Sequence, residues 1–162
     1  MFERVEKTLF EIKNTLLNDQ FIRNELYYAA AGKDFEGDKA DINKTMVQDY
    51  ITLFPLYDLN EDYSKNLWIQ VILDSCEEDD DNCIVGMIRI NIVMNNTKWV
   101  HDNRVVPISI ADKITKLLNK TKFSISNTLQ FDSIIPLAIT KQITGYALVF
   151  SFIDGNAELE EL

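Results

Sequence analysis

Two stretches of alternating apolar residues in the middle of the chain decide the fold. Residues 67–74 are Leu-Trp-Ile-Gln-Val-Ile-Leu-Asp, and residues 84–94 are Ile-Val-Gly-Met-Ile-Arg-Ile-Asn-Ile-Val-Met. In both stretches every second residue is apolar or glycine. This two-residue period is typical of a half-buried β-strand. The nine residues 75–83 between them are mostly polar. We therefore predict a long antiparallel hairpin whose loop carries the acidic run Glu77–Asp81 at its tip.

Helices are predicted on both sides of the hairpin. In residues 2–17 the apolar positions recur every three or four residues, with charged residues on the other face. Asp19 is a suitable N-cap for a second, short helix. After the hairpin, Ser109 and Asp112 resemble a capping box ahead of an apolar stripe. This pattern predicts a further helix over residues 110–119.

The last third of the chain predicts two more strands. Residues 123–131 alternate apolar residues with Ser, Thr and Gln, apart from Asn127. Residues 143–153 carry large side chains on one face and small ones, such as Gly145 and Ala147, on the other. Residues 51–58 also look extended, and Pro55 would confine them to a sheet edge or an irregular stretch.

The remaining segments lack periodicity. Residues 32–50 are rich in Gly, Asp and Asn, and we expect an exposed, irregular excursion there. Residues 154–162 form a short acidic tail that we expect to be mobile. Residues 1–162 show no repeat and no linker, so a single domain is expected. Helices gathered on one face of a mainly antiparallel sheet with a long hairpin make an α+β fold.

The charge balance excludes several classes of protein. The 162 residues include 16 Lys and Arg against 26 Asp and Glu, for a net charge of −10. This disfavours a dedicated nucleic-acid binder, whose affinity comes mainly from basic side chains on phosphates, and it disfavours a polybasic membrane anchor. Apolar runs fall far short of the ~20 residues that span a bilayer. The N-terminus lacks a signal-peptide layout, so we expect the protein to stay in the cytoplasm that made it.

No motif indicates catalysis. His101 is the single histidine and lies next to Asp102, but no nucleophile signature surrounds any Ser or Cys. A loop histidine is the simpler interpretation. Cys76 and Cys83 could face each other across the hairpin, although free thiols are expected in a reducing cytoplasm. A zinc site built from these cysteines and His101 would need a fourth ligand.

The charged stretches do not form a ligand motif either. The acidic run at the hairpin tip lacks the spacing of a calcium loop. It would be a solvated tip, or it would meet a basic partner or line a narrow negative passage. The chain has 5 glycines and no phosphate-binding loop. Four lysines suit the solvated face of the later helix: Lys113, Lys116, Lys120 and Lys122. We expect no enzyme activity, cofactor or metal.

From Trp68 to Asp154 the sequence resembles the tail-terminator and neck proteins of tailed bacteriophages. The residues that carry the resemblance are the hairpin strands 68–74 and 85–94, Lys98-Trp99 at the hairpin's close, the lead Arg104-Val105-Val106-Pro107 into helix 110–119, and strands 124–131 and 146–153. The first helix and its Leu26-Tyr27-Tyr28 extension also fit. Residues 32–50 and the acidic tip depart from the pattern.

The resemblance implies a non-enzymatic structural protein of the virion, made in the host cytoplasm. Members of that family assemble as rings, commonly hexamers, that cap the tail tube and join it to the head connector. DNA passes through the lumen without specific binding. A ring needs a heterologous interface that closes by rotation, and the hairpin of residues 68–94 offers sheet edges for it.

The same resemblance directs attention to particular interface residues. Trp68, Trp99 and Arg104 are expected to anchor packing or subunit contacts, since Trp and Arg dominate interface hot spots. Core packing is the alternative for both tryptophans. At a ring surface or lumen we expect the acidic residues Glu77, Glu78, Asp79, Asp80 and Asp81.

Two other classes stay open. An acidic inhibitor or protein-binding module that mimics DNA would spread carboxylates in rows over one face. Here five acids crowd one loop and four more lie in the C-terminal tail. The second class is a small cytoplasmic enzyme whose site residues converge only in space, for which no substrate is indicated.

Overall fold

The computed structural model of the chain describes residues 2–30, 42–53, 67–79, 83–101, 103–125 and 127–155. Within these residues the α-helices are α1 (Glu3–Asn18), α2 (Gln20–Glu25) and α3 (Val106–Leu118). The strands are β1 (Ile51–Thr52), β2 (Leu67–Glu78), β3 (Ile84–Asn95), β4 (Val100–His101), β5 (Arg104–Val105), β6 (Gln130–Ala138) and β7 (Ile143–Asp154).

Five of these strands form one sheet in the order β1-β2-β3-β7-β6. The pair β1–β2 is parallel and the other three pairs are antiparallel. Because β1 covers only Ile69 and Gln70 of β2, residues 71–78 of β2 have no strand on their outer side among the described residues. The outer side of β6 likewise has no strand beside it in the described part of the chain.

The helices cover one face of this sheet. Alternate residues of the three central strands, such as Val71, Ile90 and Phe150, pack in one core with apolar residues of the helices, such as Ile12 and Ile114. The opposite face carries a smaller apolar cluster of Trp68, Val93, Ile143 and Leu137. This arrangement confirms the predicted α+β fold with a mainly antiparallel sheet.

The predictions for the first helix, the second helix cap and the last strand are confirmed. Helix α1 begins at Glu3, one residue after the predicted start. The Asp19 side chain accepts a hydrogen bond from the Ile22 amide at 3.0 Å, as an N-cap does. Strand β7 ends at Asp154, one residue beyond the predicted end.

The hairpin is longer than predicted and its loop is shorter. The predicted loop of residues 75–83 is wrong at its first half, because β2 continues to Glu78. Glu77 pairs with Val85 and Glu78 with Ile84 across the hairpin. Two acidic side chains therefore stand on a strand, where cross-strand backbone hydrogen bonds outweigh their low β-propensity.

Helix α3 starts earlier than predicted. It begins at Val106, and the proposed Ser109–Asp112 capping box is wrong, because Ser109 lies inside the first turns. The Ser109 hydroxyl donates instead to the Val105 carbonyl at 3.3 Å. Pro107 explains the early start, since its missing N–H costs nothing in the first helical turn.

The predicted strand 123–131 is wrong over most of its length. Strand β6 begins only at Gln130 and continues to Ala138 through Pro136. Before it, Lys122 forms an isolated antiparallel bridge with Thr128. The alternation failed as a signal here because the chain turns between these two residues.

The excursion predicted for residues 32–50 is exposed only in part. Its described portion, residues 42–50, contains the 3-10 turns Lys44–Met46 and Gln48–Tyr50. Ile42 and Val47 are fully buried in the core, because these turns lie against the sheet through β1. Strand β1 lies at the sheet edge, as predicted for the extended segment. Residues 32–41 and 54–58 of these predictions lie outside the described residues.

Candidate interaction surfaces

One end of the sheet, which we call the acidic end, is formed by the β2–β3 hairpin tip. Glu77 and Glu78 are exposed at the end of β2, and no described residue forms an ion pair with either. The Asp79 amide donates to the Cys83 carbonyl at 2.7 Å, which extends the pairing past the strands. Asp80 and Asp81, also expected here, lie outside the described residues. Within the described residues, the tip therefore presents the carboxylates of Glu77 and Glu78 without an ion-pair partner.

Asp154 stands at the same end, but it is not part of a mobile tail. It is the last residue of β7, only 2% exposed, and its carboxylate meets the Arg4 guanidinium at 3.2 Å. Arg4 also donates to the Gly155 carbonyl at 2.6 Å. The prediction that the tail begins at residue 154 is therefore wrong, because the start of α1 holds Asp154 in place. Residues 156–162 lie outside the described residues.

The thiol of Cys76 is affected by this environment. Burial, with a smaller contribution from the Asp154 carboxylate, raises the pKa of Cys76 above its ordinary value. Both cysteines are thiols, as expected. Cys76 lies opposite Gly86, whereas the Cys83 carbonyl faces Asp79, so the two do not meet across the hairpin.

The lysines divide into two groups. Lys113 and Lys116 are in ion pairs, with Asp19 at 3.2 Å and with Asp112 at 2.6 Å. Lys120 and Lys122 are exposed, and no described residue pairs with their ammonium groups. Their backbone lies beside the residues that lead into β6, since the Lys120 amide donates to the Leu129 carbonyl at 2.7 Å. A small basic site thus borders the start of β6, rather than belonging to the face of α3.

The other end of the sheet, which we call the apolar end, carries exposed aliphatic side chains. Val100 is 71% exposed, and it pairs across the β4–β5 hairpin with Val105, which is also exposed. Ile108, in the first turns of α3, adds a third exposed side chain. Ile139, in the turn between β6 and β7, is exposed at the same end of the sheet. In the sequence this signal was present as the apolar run Val105-Val106-Pro107-Ile108, which was interpreted only as part of the lead into the helix.

The side chains expected to anchor an interface lie beneath the apolar end. Arg104 forms an ion pair with the buried Glu25 and stacks over Phe21, with 5.4 Å to the ring centroid. Trp99 packs against Tyr146 with the ring centroids 5.8 Å apart. The Trp99 indole N–H is buried and has no acceptor among the described residues. Arg104 and Trp99 therefore support the apolar end from inside.

Trp68 lies on the sheet face that the helices leave uncovered. It is buried in the small cluster with Val93 and Ile143, so core packing describes it. Next to this cluster the Asn91 amide donates to the Gln70 side chain at 3.1 Å, and both residues are buried. Arg104 and Trp99 thus lie beneath the apolar end, Trp68 lies on the opposite face of the sheet, and none of the three lies at the acidic tip.

The edge strand β6 exposes apolar side chains. Ile134 is 43% exposed and Ile135 is 49% exposed. These two residues point to opposite faces because they are neighbours on a strand. An exposed apolar edge strand is a site where another chain can pair, so native proteins usually cover or interrupt it. The sequence pattern did not predict this strand over residues 132–138, and therefore it did not predict this surface.

The described residues form no recognisable catalytic or metal centre. No group of three or more His, Cys, Asp or Glu side chains that could hold a metal occurs among them. Cys76 pairs with Gly86 near the start of β3, whereas His101 follows the end of β3 at Asn95. Among the described residues, the cysteines and His101 are not brought together as a group of zinc ligands.

An open polar depression lies between α1 and residues 122–124. Its acidic residue, Glu11, accepts hydrogen bonds from the amide and the hydroxyl of Ser124, both at 2.7 Å. Lys122 lies at its margin. Because Glu11 is already engaged in joining two segments of the fold, this depression fits a structural role.

No protein-family model matches the chain, and no curated protein matches it. Within the described residues, no helix is both long enough and apolar enough to cross a membrane.

Proposed function

We propose that this chain is a structural protein of a tailed-phage virion, a tail terminator or neck component. It forms a ring that caps the tail tube, joins it to the head connector and lets DNA pass through the lumen. The observation that carries this proposal is the contrast between the two ends of one sheet. Glu77 and Glu78 stand at one end, and Val100, Val105 and Ile108 stand at the other.

A joining layer needs two different faces because it has two different neighbours. The long strands β2, β3 and β7, each of 12 residues, run from the acidic end to the apolar end. At ~3.3 Å per residue each strand spans about 40 Å. If the strands run roughly along the axis of a ring, its two axial faces have opposite chemical character.

The apolar end supports contact with a protein layer. Clustered exposed aliphatic side chains mark protein interaction sites more often than isolated ones do. Val100 and Ile108 are held by a small hairpin and a helix, so the patch has a fixed shape. The ion pair between Arg104 and the buried Glu25 beneath it ties α2 to the β4–β5 hairpin.

The acidic end is assigned to the second protein neighbour, beside a lumen to which DNA must not adhere. Unpaired carboxylates at a ring surface or lumen repel a phosphate backbone, which suits the passage of DNA. With a net charge of −10, the chain has no excess of basic residues to hold DNA. The proposal is therefore of a non-enzymatic protein that has DNA as a neighbour and does not bind it specifically.

The alternative of an acidic DNA mimic receives less support from the described residues. A mimic needs rows of unpaired carboxylates on one face. Many described acids are instead in ion pairs within the chain, at Asp19, Glu25, Asp74, Asp112 and Asp154. Competition of the purified chain with DNA for a DNA-binding protein would favour the mimic.

Electron microscopy and mass measurement test the proposal. The purified chain is imaged alone and after mixing with tail tubes and with head connectors. We expect closed rings of several copies, alone or on one of these partners. A chain that stays monomeric and binds neither partner would overturn the proposal. Rings that form only on a partner would support it, since some layers assemble only on their neighbour.

A further inference from the structure

We propose that the apolar end docks an acidic, amphipathic segment of a different protein. In this contact the partner's apolar side chains cover Val100, Val105 and Ile108, and its carboxylates pair with Lys98 and Lys141. The inference deepens the proposed function and rests on it for the identity of the partner as an adjoining layer of the virion. The chemistry of the partner is inferred from the described residues of the apolar end.

The exposed aliphatic side chains form one continuous patch. Val100 and Val105 lie directly opposite each other in the β4–β5 pair, and residues opposed in this way project to the same side of the two strands. Ile108 follows Val105 by three residues at the start of α3, and this spacing places two side chains on the same face of a helix. One partner segment can therefore cover all three side chains together.

Buried contacts hold this patch in one shape. The Val106 amide donates to the Trp99 carbonyl at 2.7 Å, which joins the base of the β4–β5 hairpin to the start of α3. Val106 and Pro107 are buried next to the exposed residues. The Arg104 guanidinium meets the buried Glu25 carboxylate. Because the surface is already formed, a partner that docks on it loses little free energy to the ordering of this chain.

Two lysines without an ionic partner stand on the rim of the patch. Lys98 precedes Val100 by two residues, and Lys141 lies in the turn between β6 and β7. Asn96 joins these two segments, because its backbone amide donates to the Gln142 carbonyl and its side chain donates to the Lys141 carbonyl, both at 2.8 Å. Both lysines are exposed, and no described residue forms an ion pair with either. The rim thus carries two positive charges that carboxylates of a partner can pair with.

The start of α3 adds positive character at the same end. The N-terminus of a helix carries a partial positive charge, which an acid in the first turn or a capping side chain usually balances. Helix α3 has neither, since its first turn holds no Asp or Glu and no side chain caps it at Val105. Glu25 is already paired with Arg104, and Asp102 lies outside the described residues. The charges that the described residues leave open at this end are therefore positive, which favours carboxylates on the partner.

A second copy of this chain has part of the same chemistry, because Glu77 and Glu78 are exposed at its acidic end. A contact between the acidic end of one copy and the apolar end of the next is heterologous. It would repeat along the axis and build an open filament. A layer that joins two different structures has a finite height. The contact is therefore assigned to a different protein, and self-association through these two ends would overturn the inference.

Two peptides of opposite charge test this chemistry on the free chain. The peptides share one amphipathic apolar sequence and differ only in carrying Glu or Lys at the remaining positions. Each is labelled with a fluorophore and titrated with the purified chain at low salt, and binding is followed by fluorescence anisotropy. We expect the Glu peptide to bind about tenfold more tightly than the Lys peptide, and to bind more weakly as salt is added. A net charge of −10 would by itself attract the Lys peptide, so the opposite preference identifies a local site.

Charge reversal on the rim is the second measurement. In the Lys98→Glu, Lys141→Glu double variant we expect the preference to invert, so that the Lys peptide binds about tenfold more tightly. The Lys120→Glu, Lys122→Glu variant is the matched control, because it makes the same change in net charge beside the start of β6. It should keep the preference for the Glu peptide. All four lysines are exposed, so both variants should unfold at the same denaturant concentration as the unaltered chain.

The same two variants connect the inference to the assembled protein. Rings of each variant are mixed with tail tubes and with head connectors, and the attachments are counted by electron microscopy. We expect the rim reversal to weaken one of the two attachments about tenfold and to leave the other unchanged. The control variant should keep both attachments.

The outcomes separate this inference from the proposed function. An inverted peptide preference without rings or attachment supports the docking chemistry and counts against the proposed function. Rings whose two attachments are both unaffected by the rim reversal leave the function standing and overturn the inference. Equal affinity for the two peptides, binding of neither peptide, or inversion by the control variant also overturns it. Sedimentation that shows copies stacking, with the stacking abolished by the rim reversal, assigns the site to a second copy and overturns it as well.

Discussion

The acidic end and the apolar end are each held by an ion pair, but the surfaces that they expose differ in chemical character. At each end an arginine meets a buried carboxylate from a distant part of the chain, Arg4 with Asp154 and Arg104 with Glu25. Each pair fixes the local backbone. The glutamate carboxylates at the acidic end are stable in contact with water. The exposed aliphatic side chains at the apolar end are stabilised when a partner protein covers them. The proposed function assigns these two surfaces to two neighbours of different chemistry.

The largest effect is expected at the apolar end. Arg104→Ala leaves Glu25, which is 4% exposed, without its cation. We expect the free energy of unfolding to fall by about 3 kcal/mol, since removing one member of a buried pair leaves an uncompensated charge. Denaturant unfolding measures this. Lys116→Ala, which breaks the exposed pair with Asp112, is the matched control and should cost under ~1 kcal/mol. Equal losses in both variants would contradict the role of Arg104.

At the acidic end the corresponding change should cost less. Arg4→Ala removes the guanidinium that meets the buried Asp154 carboxylate and donates to the Gly155 carbonyl. Arg4 is more exposed than Arg104, so solvent screens its pair more. We expect a loss of about 2 kcal/mol. Hydrogen exchange should show faster opening at the end of β7 than in the centre of the sheet. Uniform exchange along β7 would argue against local anchoring by Arg4.

The helix and the strands that connect the two ends were predictable from the spacing of their apolar residues. Helix α1 and strands β2, β3 and β7 bury one face each, so their apolar residues recur at the spacing of the element. The ion pairs were not predictable, because Arg4 and Asp154 are far apart in sequence and meet only through tertiary packing.

Strand β6 shows most clearly where prediction from apolar periodicity fails. Its apolar residues Ile134 and Ile135 are adjacent and both exposed, so no alternation marks the strand. Ile125 and Leu129, in contrast, are buried outside any strand and produced the pattern that placed the strand too early. The surface of β6 was not predicted, because this strand has no buried face that would impose an alternation of apolar and polar residues.

A smaller effect concerns the pH dependence of the acidic end. Burial and the charge of Asp154 raise the pKa of Cys76 above the ordinary 9.0. A raised pKa means that the folded state favours the protonated Cys76 thiol. The contribution of Cys76 to the free energy of unfolding is therefore complete below pH 9.0, and it is lost as the pH rises through the pKa of Cys76 in the folded state. Alkylation of Cys76 in a Cys83→Ser variant should show a midpoint above 9.0 that falls on unfolding. Identical midpoints in both states would contradict it.

The smallest effect on stability is expected from the exposed apolar side chains themselves. Val100→Ser should change the free energy of unfolding by less than ~0.5 kcal/mol, because Val100 is 71% exposed. Val106→Ser, at a buried position two residues after Arg104, is the comparison and should be clearly destabilising. Similar losses in the two variants would mean that Val100 has a structural role and is not part of an open surface.

One measurement tests most directly whether the two ends serve two neighbours. Rings of the Val100→Asp, Ile108→Asp double variant are mixed with tail tubes and with head connectors and counted by electron microscopy beside unaltered rings. The account predicts that rings still form, that one of the two attachments is lost and that the other is retained. Retention of both attachments, or loss of both with the ring intact, would contradict it.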